Sequence, residues 1–167
     1  MKRRAFTVAL LVSIAGGCAR SAASTAVPEK IYLVPDDYRI EQAGHLADGR
    51  LFWVDVQLSS ANGQTQDFIC TYVFDADGNL TGHIIELIGA RGEYQAGAVE
   101  RAIGNQLAAL GDHTQAAIWV RPFQVESHDV IFGLVPRQVF GGEWRVDAMP
   151  GNTLSFYAPW EAGEYDT

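Results

Sequence analysis

Two cysteines are all that the 167 residues contain, and one of them, Cys18, closes a leader-like segment. The other, Cys70, stands alone, so no disulfide framework holds the chain and its core must rest on apolar packing. Cations are scarce as well. Twelve Lys and Arg face 20 Asp and Glu, a net charge of −8, and Lys2 and Lys30 are the only lysines. Such a surface cannot neutralise phosphates, which argues strongly against a nucleic-acid partner. No apolar run reaches the roughly 20 residues that a membrane-spanning helix needs. Gly-x-Ser-x-Gly, Ser-x-x-Lys, the phosphate loop and the dinucleotide fingerprint are all missing, so no familiar catalytic frame and no cofactor is implied.

What is present begins with the first eighteen residues. Lys2, Arg3 and Arg4 precede an apolar run over 5–15 and the small residues Gly16 and Gly17, the layout of a secretory signal over 1–17. Ala15-Gly16-Gly17-Cys18 resembles the lipobox of bacterial lipoproteins. The resemblance covers the leader alone. It implies cleavage before Cys18, lipidation of the Cys18 sulfur, and an acyl anchor as the contact with the membrane. Ala19 after the cysteine, by the same resemblance, implies the periplasmic face of a Gram-negative outer membrane. Arg3-Arg4-Ala5-Phe6 fits both an ordinary basic n-region and a twin-arginine export signal.

Loss of Lys2, Arg3 and Arg4 with the leader leaves 9 basic against 20 acidic side chains, a net of −11. A charge of that sign favours a basic partner, though it also serves solubility. Residues 18–30 lack apolar periodicity and are expected to form a flexible tether of about 20 Å. Residues 31–167 make one domain's length of chain, rich in aromatic and β-branched residues.

The pattern over that domain predicts an α+β fold, a mostly antiparallel sheet of about six to seven strands with one main helix packed on it. Residues 52–58 alternate, with Phe52, Val54 and Val56 on one side and Trp53, Asp55 and Gln57 on a wetter one. Strands over 68–74 and 80–88 flank a turn at 75–79. Val99, Ile103, Leu107 and Leu110 mark a helix within 93–110, with Gly111 at its end and with Gly97 and Gly104 placed to let it approach the sheet. Further strands are expected over 117–123, 129–135, 143–148 and 153–158, the last two with Trp144, Val146, Ala148, Leu154, Phe156 and Ala158 facing the core and Glu143, Arg145 and Asp147 facing out.

Candidate chemistry is thin. Asp75, Asp77, Asn79 and Glu86 occupy positions 1, 3, 5 and 12 of a calcium-loop spacing, but Leu80 stands where the loop needs Gly, and the flanks are strand-like. The same residues suit a tight hairpin. Cys70 shares a strand face with Phe68, Tyr72 and Phe74, which favours an inert buried thiol over a nucleophile. His45, His83, His113 and His128 show no metal-ligand spacing, and His83 and Glu86 fall on opposite strand faces. Trp119, Arg121 and Phe123 would share one face of a strand and form an amphipathic interaction patch.

These features together point to a lipid-anchored envelope protein that binds instead of catalysing, as an inhibitor, an immunity-type protein or an assembly factor facing a basic envelope or exported protein. The alternatives are an envelope hydrolase with a loop-assembled site and a calcium-dependent binding module.

Overall fold

A computed structural model of the chain describes residues 26–61, 63–151 and 153–167. Cys18 and the leader lie outside the described residues. The described part is mostly β with one helix, built as twelve strands in three antiparallel sheets. One sheet of five strands is therefore joined by a second of equal size and a small ribbon, where a single larger sheet was expected.

The first sheet takes β2 (Gln42–Leu46), β3 (Leu51–Ala61), β4 (Gln64–Phe74), β5 (Leu80–Ala90) and β6 (His113–Gln115), in the order β5-β4-β3-β2-β6. The second takes β8 (Phe123–Ser127), β9 (Val130–Gln138), β10 (Trp144–Met149), β11 (Ser155–Phe156) and β12 (Tyr165–Asp166). A ribbon of β1 (Ile31–Leu33) and β7 (Ile118–Val120) completes the main core. All three contribute to it: Ile31 and Val120 from the ribbon, Trp53, Phe68 and Tyr72 from the first sheet, Phe132, Val146 and Phe156 from the second.

The helix α1 (Ala98–Leu110) covers the opposite face of the first sheet, where Ala102 and the flanking Val99, Ile103 and Leu107 meet Phe52, Val54 and Ile69. The first sheet is thus the middle layer, and at β3 and β4 it is covered on both faces. Trp53 and Gln57, expected on a wetter side of β3, are both fully buried, Trp53 within the main core. The alternation was real, but it sorts two buried surfaces instead of one buried and one solvated.

The helix begins at Ala98, one residue before the first member of its apolar period and within the expected window. Gly97 takes a left-handed φ of 75° at the N-cap, a conformation that costs glycine little. It therefore stops the helix instead of opening it to the sheet. A Cβ at Gly104 would meet nothing within 4 Å, so close approach is not its role either. Gly111 does end the helix, its N–H donating to the Ala108 carbonyl.

Three other expectations change. The strand over 117–123 is divided, because Pro122 cannot donate to a ladder and the chain passes there from the ribbon to the second sheet. Asp147 does not face outward. It is fully buried between Arg137 and Arg145, and the Ser155 hydroxyl donates to it. The end of the expected tether is packed, with Pro28 buried and Glu29 paired to Arg121 at 2.9 Å.

Candidate functional site

In the calcium-like segment, Asp75 caps the β4–β5 hairpin. Its Oδ1 accepts the backbone N–H of Asp77 and Asn79, and the Asn79 amide donates to both carboxylate oxygens at 2.8 and 3.1 Å. These hydrogen bonds hold the Asp75 carboxyl below the usual range. Gly78 has φ 82°, and a Cβ there would lie 2.5 Å from the Trp119 carbonyl, so the turn needs glycine. Glu86 does not converge on this loop. It pairs with Ile69 far along β5 and accepts a hydrogen bond from the Gln106 amide at 3.0 Å. The twelve-residue spacing is therefore that of a hairpin and its strand. No group of three or more acidic, histidine or cysteine side chains is arranged for a metal among the described residues.

Cys70 is fully buried beneath the aromatic side chains of the main core, and burial pushes its thiol well above the ordinary range. The four histidines stay apart. His113 packs edge-on against Phe52, His128 against Phe68, while His45 and His83 are exposed on different strands.

The expected patch of Trp119, Arg121 and Phe123 separates into three roles. Trp119 stacks on Tyr32 across the ribbon, with ring centroids 4.8 Å apart. Arg121 pairs with Glu29. Phe123 turns inward against Tyr72 and Phe74. They do not make one face.

Two features that sequence reasoning missed are better placed for function. The first is the outer edge of β5. Sheet order leaves this eleven-residue strand paired to β4 on one side only. Register shifts interrupt both ends of the pairing, but from Gly82 to Leu87 the ladder opposite Val73 to Phe68 is regular. Ile84 and Leu87 are exposed along it at 52% and 40%. This stretch holds neither Lys nor Pro, the residues that commonly blunt an edge. Glu86 gives it negative charge and is held in place by Gln106, itself buried beneath the helix.

The second is a cleft of about 300 Å³ where β2 leaves β3, lined by Arg39, Glu41, Val54, Asp55, Val99 and Ile103 among others. Asp55 accepts a hydrogen bond from the Gln57 amide at 3.1 Å. Burial raises its carboxyl to about 7, against the pull of that hydrogen bond and of the Arg39 charge.

No protein-family model matches the chain, and neither curated proteins nor solved structures give a match. Among the described residues no helix is long and apolar enough to cross a membrane.

Proposed function

We propose that this chain is a lipid-anchored binding protein of the bacterial cell envelope, held by Cys18 at the periplasmic face of the outer membrane. Its α+β domain receives an extended, basic segment of another envelope or exported protein along the open edge of β5. The observation that carries this reading is the regular, one-sided strand from Gly82 to Leu87 with Ile84 and Leu87 exposed. Strand addition there supplies main-chain hydrogen bonds, while the alternating side chains select the sequence. Glu86 and the net charge of −11 left after leader removal favour a basic strand and repel an acidic one.

The test uses the mature chain from Cys18 as bait in envelope and secreted extracts at low and high salt. A basic protein retained at low salt and released at high salt, and no longer retained by the Ile84→Lys, Leu87→Lys double variant, supports the reading. Retention indifferent to both salt and the edge variant rejects it, as does an empty bait.

One observation favours a second reading, the envelope hydrolase. A carboxyl protonated near neutrality inside a cleft has the protonation state of a general acid, and Asp55 is such a group. In that case Asp55→Asn abolishes turnover in a hydrolase screen and leaves capture of the basic protein unchanged.

A further inference from the structure

The β9–β10 hairpin ends in a tight turn, with the Gly142 N–H donating to the Val139 carbonyl and the Val139 N–H to that of Glu143. Gly141 and Gly142 both take positive φ, 95° and 85°. The turn thrusts Phe140 into solvent with a relative exposure of 105%, the largest of any bulky apolar side chain described. Leaving a phenyl ring there forgoes the burial that normally accounts for an aromatic residue. The ring makes no packing contribution to its own fold.

Its position along the molecule can be traced. Phe132 meets Phe68, and Leu134 lies opposite Phe123, whose ring meets Tyr72 and Phe74. β9 therefore runs alongside β4 in the same sense. β9 continues four residues beyond Leu134 to Gln138, about 13 Å at strand rise, and Phe140 lies in the turn that follows, past the end of β4 where the 75–79 turn sits. The described chain begins at that same end. Glu29 pairs with Arg121, and the Arg121 N–H donates to the Gly78 carbonyl in that turn. Val27 is there too, 45% exposed. Toward the opposite end Gly151 abuts Leu58, whose partner Asp67 lies seven residues back along β4 from Phe74, about 24 Å at strand rise.

Ala26 lies eight positions after Cys18, a stretch that reaches at most about 29 Å when fully extended. An acyl chain on Cys18 thus joins the lipid to the end of the molecule that carries Phe140. The geometry points to a membrane-resting pole, with Phe140 inserted at the headgroup boundary of a zwitterionic bilayer and Val27 exposed at the same end. The orientation rests on the Cys18 anchor proposed above, and it stands the β5 edge upright from the lipid surface, open to a partner. Asp75, Asp77 and Glu143 at the same pole disfavour anionic lipid.

The mature lipidated chain carrying Phe140→Trp, in vesicles of phosphatidylethanolamine and dibrominated phosphatidylcholine, reads this directly. The added tryptophan loses fluorescence to bromine beyond any loss in the parent protein, and the loss shrinks when phosphatidylglycerol replaces phosphatidylethanolamine. Mass spectrometry of the N-terminal peptide checks the anchor separately. If Cys18 carries no lipid, a maleimide lipid coupled to it restores the geometry, since Cys70 is buried, and the same quenching is read. An anchored Phe140→Trp protein that shows no quenching beyond the parent overturns the inference. So does a Phe140→Asp variant that loses a basic protein partner while the added tryptophan of the first variant stays unquenched in vesicles, because Phe140 then serves a protein contact.

Discussion

The phenol of Tyr165 donates a hydrogen bond to the carboxylate of Asp36, joining two residues 129 positions apart. The other oxygen of Asp36 accepts the N–H groups of Tyr38, Arg39 and Ile40. One carboxylate thus ties the last strand to the loop that leads from β1 to β2. Partial burial works against its charge, but the Tyr165 and backbone hydrogen bonds outweigh that and bring the carboxyl down to about 2. A group whose folded value lies below its ordinary 3.8 adds stability above pH 4 and loses it as pH falls through about 2. Tyr165→Phe is expected to cost about 1 kcal/mol at pH 7, with the difference from the parent shrinking at pH 2. Urea melts at the two pH values measure it, and an equal cost at both would show that the phenol acts through packing alone.

Asp55 has the opposite sign. Its folded carboxyl titrates at about 7, above the 3.8 of an exposed one, so the folded chain holds a proton that the unfolded chain releases between those values. Its contribution is complete below pH 4 and is lost as pH rises through 7. Asp55→Asn keeps a neutral side chain at every pH. It should match the parent at pH 4 and exceed it by up to about 4 kcal/mol at pH 8. A stability difference that does not change with pH would mean that Asp55 is ionised in the native fold.

Much of the strand pattern was legible because alternation and turn chemistry are local. The 75–79 turn, the start of β5 at Leu80 and the burial of Val146, Ala148, Leu154 and Phe156 follow from it, while Trp144 and Ala158 of the same expected set are only half-buried and β5 runs two residues past 88. What failed was every inference that needed a neighbour. Asp147 reads as solvent-facing until Arg137 and Arg145 close on it. The short strands β1, β2, β6 and β12 carry too few residues to show a period, and they form only because a partner from elsewhere in the chain lies beside them. The exposed edge of β5 is a property of strand order, which no window of sequence contains. The division at Arg121-Pro122 had a usable signal in the proline, and it was outweighed by the apparent face of Trp119 and Phe123.

Gln106 is the polar exception on the buried side of the helix. Its side-chain oxygen accepts the Thr71 hydroxyl, and its amide donates to Glu86 and to the Ile69 carbonyl. Gln106→Ala leaves a buried hydroxyl without its acceptor, a loss of about 1–3 kcal/mol. Pairing Gln106→Leu with Thr71→Val removes both ends of the bond and restores apolar contact, so the double variant should be more stable than the sum of its single changes. A double-mutant cycle by thermal melting decides it, and strict additivity would place the two side chains in separate environments.

Cys70 makes the fold report on itself. The thiol is fully buried and its ionisation is suppressed by that burial, so the thiolate that attacks a disulfide reagent is absent from the native state. At pH 8 an unlipidated chain beginning at Cys18 should therefore release one equivalent of chromophore at once, from Cys18, and a second only at the rate at which the core opens. Denaturant should bring the second phase into step with the loss of tertiary structure, since reaching Cys70 requires the two sheets to separate. A rapid second equivalent in native buffer would require a channel to β4 from outside, and would make Cys70 a candidate nucleophile again.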